Sequence, residues 1–307
     1  MKGHEPDMPN HDLRDQLLFS GGPEGAVELS FPAAFGSASR AIDAIPAGVY
    51  EGLRTFGRNR FFGLRTHLER LRESAAGFAR PLQYDEQHLV RTLDSAARQA
   101  AAAFDGEARL RVDVTAEPAT ALGSDSCVLI AATPFRGVPE ALRTQGAHLQ
   151  LAPGLRRPDP AVKTSNFIPL REAWIQAHGD PDAYEFVMVS DEGMVLEGTQ
   201  SNVVLVRDGA LHHAPSGVLP GVTVRAVLDL ARAAGLPVHE RFVPVEELAD
   251  YDEAFMTTSV RSVVPIRSIG EHRFLGAGPV TARVAALYDE LTAADAVTVE
   301  ERASARY

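Results

Sequence analysis

Lysine is nearly absent from this chain: of thirty Lys and Arg residues, only Lys2 and Lys163 are lysine. Lys2 stands in a polar amino-terminal stretch, so chemistry needing an amine nucleophile has one interior candidate. Arginine cannot replace it, because a guanidinium stays protonated and forms no imine, whereas burial and neighbours tune a lysine. Scarcity alone reads equally well as a leftover surface charge, so other polar residues must decide. Gly221-Val222-Thr223 would open a helix, whose first N–H groups and positive dipole end hold a phosphate; the same residues also simply start helices. Thr257-Thr258-Ser259 sets three hydroxyls after a strand, as ligand donors or as a solvated strand end. Glu197 precedes Gly198 at the end of a strand. If buried, it needs a cation such as a pyridinium nitrogen; if exposed, it is an ordinary strand-end charge.

These residues must be positioned by elements that the apolar spacing marks out. Val49 to Phe56 reads as a strand, and Gly57-Arg58-Asn59-Arg60 as a turn into Phe61–Leu64. A helix over His67–Phe78 carries Leu68, Leu71, Ala75 and Phe78 at helical spacing, which puts Arg70 beside the buried stripe. A second, over about 86–104, carries Leu89, Val90, Leu93, Ala97 and Ala100. Strict alternation over Arg109–Val114 predicts a strand with Arg109 and Arg111 on one face. After Lys163 come a helix over about 169–177, a β meander over 184–206 and an Asp208-Gly209 turn. A helix from Val222 to Ala234 stops at Gly235, and a last helix over 279–293 is expected to pack on Val284, Leu287 and Leu291.

Length and composition bound the class. The 307 residues suffice for one large or two medium domains, and 45% apolar with 23% charged residues is ordinary for a globular protein. A net charge of −11 argues against a nucleic-acid partner and offers nothing to an anionic membrane. No apolar run reaches the roughly 18–20 residues that span a bilayer. The start has no apolar signal region, so a cytoplasmic protein is expected. The lone Cys127 excludes a cysteine zinc site, no metal is expected, and Ser126–Ile130 reads as a buried strand with Cys127 in the core. Five prolines and three glycines over 134–160 place a boundary near the start of that stretch. The expected division is a flexible tail over 1–16, a small domain over 17–135 and a large domain over 136–307.

Six blocks resemble the signatures of the class IV, fold-type-IV pyridoxal-phosphate aminotransferases. They are Val49-Tyr50-Glu51-Gly52-Leu53-Arg54, His67-Leu68-Glu69-Arg70-Leu71, Lys163-Thr164-Ser165-Asn166, Glu197-Gly198-Thr199-Gln200-Ser201-Asn202, Leu219-Pro220-Gly221-Val222-Thr223-Val224-Arg225, and Thr257-Thr258-Ser259 ahead of Val264-Pro265-Ile266. They follow the family's order over about residues 46–285. The resemblance implies a two-domain fold mixing α+β and α/β character, like that of D-amino-acid aminotransferase. A small amino-terminal α/β domain would be followed by a larger β-barrel-like domain with helices. It also implies that Lys163 holds pyridoxal 5′-phosphate covalently and moves the substrate proton. Glu197 would pair with the pyridine nitrogen, and Arg70, Val222, Thr223 and Ser259 would hold the phosphate.

By the same resemblance, Arg111 corresponds to an arginine near the active-site mouth of the branched-chain enzymes, although Arg109 stands where those carry tyrosine. Arg54, Tyr50 and Val260 complete the candidate substrate contacts; for Arg54 a structural salt bridge is the other reading. Val114-Thr115-Ala116-Glu117-Pro118 lacks the Ser/Thr-Arg-Gly that D-amino-acid aminotransferases and the lyases carry after this strand. The expected activity is therefore transfer of an amino group from a branched-chain-like amino acid to a 2-oxo acid by ping-pong half-reactions, in a homodimer. A D-amino-acid or (R)-amine transaminase, a 4-amino-4-deoxychorismate lyase, or a non-catalytic binding relative are the alternatives.

Overall fold

The computed structural model describes residues 16–30, 42–304 and 307. The expected tail and Lys2 thus fall outside the described residues, apart from Gln16. The chain divides into two units that interleave in sequence: the first runs to Arg136 and also takes Val162–Asn166 and Asp295–Tyr307, and the second takes Gly137–Ala161 and Phe167–Ala294. The five residues around Lys163 thus cluster with the amino-terminal unit.

The first unit is an antiparallel sheet with helices on one face. Its strands are β1 (Leu17–Gly22), β2 (Gly25–Glu28), β3 (Gly48–Phe56), β4 (Arg60–Phe61), β5 (Ala108–Thr115) and β6 (Val128–Pro134), in the order β2-β1-β6-β5-β3-β4. Helices α1 (Leu64–Gly77) and α2 (Glu86–Ala103) fill the connection between β4 and β5. Leu68, Leu71 and Ala75 of α1 and Leu89, Val90, Leu93, Ala97 and Ala100 of α2 lie in one core with Val49, Leu53, Leu110, Val112 and Ile130 of the sheet. The expected helical spacing was that of a face buried on a sheet, and burying it supplies the main stabilisation. Phe78 ends α1 half-buried, packed against the same core. Cys127 departs from the expectation of a core position: it lies just before β6 at intermediate exposure, at the sheet's end, where its carbonyl accepts from the Thr115 N–H at 2.9 Å while its side chain stays outside the core that begins at Val128.

The second unit is a closed sheet. After the short helix α3 (Glu140–Thr144) come β7 (Ala147–Pro153), α4 (Phe167–His178), β8 (Glu185–Val189), β9 (Met194–Gly198), β10 (Asn202–Arg207) and β11 (Ala210–His213). Then follow α5 (Val222–Ala233), β12 (Val238–Glu240), β13 (Val243–Pro244), β14 (Glu253–Thr258), β15 (Ser262–Ile269), β16 (His272–Arg273) and α6 (Pro279–Asp295). The strand path β10-β14-β15-β7-β8-β9 returns on itself through the pair Asn202 and Glu197, which closes the barrel expected of the larger part. Asp208 (φ 51°) and Gly209 (φ 76°) both take positive φ, the two-residue hairpin turn that an Asp-Gly pair favours. In α5 the stripe of Val224, Val227, Leu228 and Ala231 is buried as spaced. In α6 the buried residues are Thr281, Val284, Tyr288 and Thr292 rather than Leu287 and Leu291. Tyr288 is the larger ring, and its hydroxyl reaches within 3.4 Å of Thr223 Oγ1, which turns the helix toward that side.

Candidate active site

In the first unit Lys163 is fixed by its backbone. Its N–H donates to Ser74 Oγ at 3.0 Å, and its carbonyl accepts from the Tyr50 N–H at 3.1 Å. Thr164 Oγ1 and the Ser165 N–H both donate to the Gly48 carbonyl, at 3.0 and 2.9 Å. Any side chain at Gly48 would press on Val114 O and Thr115 Cα, so glycine lets the Lys163 segment and β5 flank β3 at close range. The Thr164 and Ser165 hydroxyls beside Lys163 are thus spent on holding the loop. Lys163 Nζ lies 4.8 Å from the centre of the Tyr50 ring, within cation–π range.

Alternation along β3 puts Val49, Glu51, Leu53 and Thr55 on the buried side, facing α1. Glu51 therefore enters the core as a carboxylate at 1% exposure and meets two residues of α1 one turn apart. Arg70 donates Nε to Oε1 at 2.7 Å and Nη2 to Oε2 at 2.6 Å, and His67 Nδ1 sits 2.8 Å from Oε2. Burial alone would raise the Glu51 pKa; the Arg70 charge and the bonds from Arg70 and His67 outweigh it and hold it at about 2. Burial pushes His67 below its usual range, and its contact with Glu51 opposes this; the positive charges of Arg70 and Lys163 push it further down. Arg70 is thus fully inside the stripe it was expected to border. Glu51 and His67 were missed as its partners, although the parity of Glu51 with Val49 and Leu53 was a readable signal.

In the second unit Glu197, on β9 at 2% exposure, is the buried carboxylate. Its cation is Arg157, which donates Nε to Oε1 at 2.8 Å and Nη2 to the Thr199 carbonyl at 3.0 Å, and packs over the Phe167 ring. Oε2 accepts from Asn202 Nδ2 at 3.1 Å and from the Leu219 N–H at 3.0 Å. Each of these three partners is a donor, the pattern of an ionised carboxylate. Arg157 and Asn202 had no role in the sequence reading. Nothing local flags Arg157, forty residues from Glu197, whereas Asn202 lies inside one of the six blocks.

Asn202 also ties this carboxylate to α5. Its Nδ2 donates to the Leu219 carbonyl at 2.9 Å, and a Cβ at Gly221 would collide with its Oδ1. Gly221 is the N-cap of α5 and supplies no side-chain cap, so the first-turn N–H groups, with Val222 and Thr223 buried, lack that common partner. At the end of β14, the Thr258 hydroxyl accepts from the Arg261 N–H at 2.8 Å and closes a tight turn that holds Ser259 and Val260 at intermediate exposure. Thr257, 2% exposed, has a buried Oγ1 without a hydrogen-bond partner, as has Arg157 at Nη1.

The structure thus brings Lys163, Tyr50 and Arg111 together in one unit, with Arg70 in the core behind β3. Glu197 and the start of α5 are linked in the other. Arg111 lies 4.6 Å from the Tyr50 ring centre, and Arg54 packs over Phe56 and Phe135, farther along the same face.

Residues 48–269, most of the chain, match the amino-transferase class IV family model. The chain belongs to that family. It is 33% identical to a probable branched-chain-amino-acid aminotransferase of Thermotoga maritima, with 78% of this chain and 84% of that protein covered. A D-alanine aminotransferase of Bacillus licheniformis is 31% identical over 82% of this chain and 90% of its own length. In fold, this class IV aminotransferase is similar to the T.th. branched-chain amino acid aminotransferase solved with pyridoxamine 5′-phosphate. There the TM-score is 0.72 at 22% identity, over 91% of this chain and 94% of that one. Among the described residues no helix is long and apolar enough to cross a membrane.

Proposed function

We propose that this transaminase moves the amino group of an amino acid with a branched-chain-like side chain to a 2-oxo acid, on pyridoxal 5′-phosphate held by Lys163, Arg70, Glu197, Val222, Thr223 and Ser259. When bound, that group supplies an electron sink and a carrier for the amino group between the two half-reactions. The donor set fits it. Lys163 is the interior amine, Glu197 is a carboxylate able to face a protonated ring nitrogen, and the uncapped start of α5 suits a phosphate. The partnerless Arg157 Nη1 and Thr257 Oγ1 are buried polar atoms of the kind a ligand satisfies. Lys163 would attach the cofactor and carry a proton on Nζ; Glu197, oriented by Arg157 and Asn202, would hold the ring nitrogen protonated. Arg70, fixed by Glu51, would offer a guanidinium edge to the phosphate.

The observation that carries the reading is Glu197, a carboxylate at 2% exposure held by the Arg157, Asn202 and Leu219 donors. The purified protein should be yellow, and borohydride should fix the cofactor on Lys163 in a peptide map; a colourless protein that takes up no pyridoxal phosphate refutes it. The substrate class rests on the Thermotoga maritima relative. A D-amino-acid transaminase is the second reading, supported by the Bacillus licheniformis relative. Rates with L-leucine, D-alanine and (R)-1-phenylethylamine separate them. Family resemblance supports a homodimer, and a single cysteine suits the cytoplasm; light scattering tests the former.

A further inference from the structure

Four glutamates among the described residues are buried. Glu51 and Glu197 hold arginines, and Glu253 caps the first turn of α6 through the Val280 and Thr281 N–H groups. The fourth, Glu185, is 4% exposed, and its bond is to a backbone amide rather than to a cation. Burial raises its pKa; the Gln200 N–H, then the Ser201 hydroxyl and the charges of Arg261 and Arg171, oppose this without cancelling it.

Glu185 opens β8 on the same face as Val187, which lies in the barrel core. There it receives the turn between β9 and β10. The β8–β9 ladder places Val187 opposite Gly198, and the Thr199 N–H still reaches the Phe186 carbonyl, at 2.9 Å. One residue on, the chain bends away toward β10, and the Gln200 N–H donates to Glu185 Oε1 at 2.6 Å. The side chain thus satisfies an amide that the strand ladder no longer reaches. Any side chain at Gly198 would collide with both Glu185 Oε1 and Ser201 Oγ, so glycine lets the turn close on the carboxylate. The Thr199 carbonyl of this turn accepts from Arg157, and at its two ends stand Glu197 and Asn202, paired across β9 and β10.

We propose that Glu185 is a positioning residue of the transaminase site: through Gln200 it fixes the turn that sets Glu197, Asn202 and the Thr199 carbonyl, and the property it supplies is reach rather than charge. The inference rests on the reading of Glu197 as the carboxylate that faces the cofactor's ring nitrogen. Glu185 itself touches neither cofactor nor substrate in this scheme; it acts by holding the backbone from which Glu197 and its donors project.

Two variants of the holoenzyme separate reach from charge. Glu185→Asp keeps the carboxylate but is one methylene short of Gln200, whereas Glu185→Gln loses the charge and keeps an acceptor at full length. Borohydride fixing is checked first: a wild type that fixes no cofactor refutes the transaminase reading itself. In Glu185→Asp the dissociation constant for pyridoxal 5′-phosphate should rise about tenfold. Its single-turnover rate with the preferred amino donor should fall about tenfold, with the half-saturating concentration held within about twofold. Glu185→Gln should stay within about threefold of the wild type in each. Wild-type affinity and rate in Glu185→Asp, or Glu185→Gln impaired as far as Glu185→Asp, overturn the role of Glu185 and leave the cofactor reading standing. Hydrogen exchange in the cofactor-free protein reads the same bond without activity: the Gln200 amide should exchange about tenfold more slowly in the wild type than in Glu185→Asp. If Glu185→Asp does not fold, the wild type decides, since a Gln200 amide exchanging as fast as an unstructured peptide overturns the assignment.

Discussion

Replacing Glu51 with glutamine removes one charge from the core of the first unit and leaves Arg70 buried without its anion. The carboxyl sits at about 2 in the fold against an ordinary 4.5. At about 1.4 kcal/mol per pKa unit, that difference corresponds to roughly 3 kcal/mol of stability at neutral pH. Breaking a buried ion pair from one side costs about 3–5 kcal/mol, so two independent estimates agree. At roughly 2–4 °C per kcal/mol for a unit of this size, Glu51→Gln should lower the melting temperature by about 6–12 °C. The pH dependence fixes the cause. A carboxyl with a depressed folded pKa contributes its stability fully above its unfolded value of 4.5 and loses it as pH falls toward 2. Urea unfolding at pH 7, 4.5 and 3 should therefore show the gap between wild type and variant wide at pH 7 and narrowing through the acid range. A variant melting within a degree or two of wild type at pH 7, or a gap that persists unchanged at pH 3, refutes the claim that Glu51 acts as a buried anion.

Other perturbations separate the remaining roles. His67, held below 6.5 by burial, contributes stability above its unfolded pKa that is lost as pH falls below it; His67→Gln should therefore lose less stability than wild type between pH 7 and 5, measured by urea unfolding. Glu197→Gln also leaves a buried arginine without its anion, so it should fold with a melting temperature lowered about as far as that of Glu51→Gln, while turnover of the folded protein falls about a hundredfold or more; near-normal rates would remove Glu197 from the chemistry. Gly221→Ala must push Asn202 from Glu197 and the Leu219 carbonyl, so it should cost about 1–3 kcal/mol and lower the bound cofactor per chain, read by absorbance and denaturant titration.

Local pattern was enough to write the elements. Helical spacing marked α1, α2 and α5, and the Asp-Gly turn and period-two runs marked the meander, because each depends on neighbours within a few residues. Where a ring such as Tyr288 competes with leucines for the buried side of α6, pattern misled, since only the opposing surface decides which residue it receives. Of the site, the sequence by itself determined the reagents: one interior lysine, a glutamate at a strand end, an arginine within a helix, and a glycine–threonine helix start. Tertiary structure alone decided their states. It drew Arg157 to Glu197 across forty residues, Glu51 to Arg70 across nineteen, and set the Asp113-bound Arg111 and Lys163 against the same Tyr50 ring. Charges of this kind are neutralised only when burial removes water and strand register supplies the partner, and neither is written in any window of the chain.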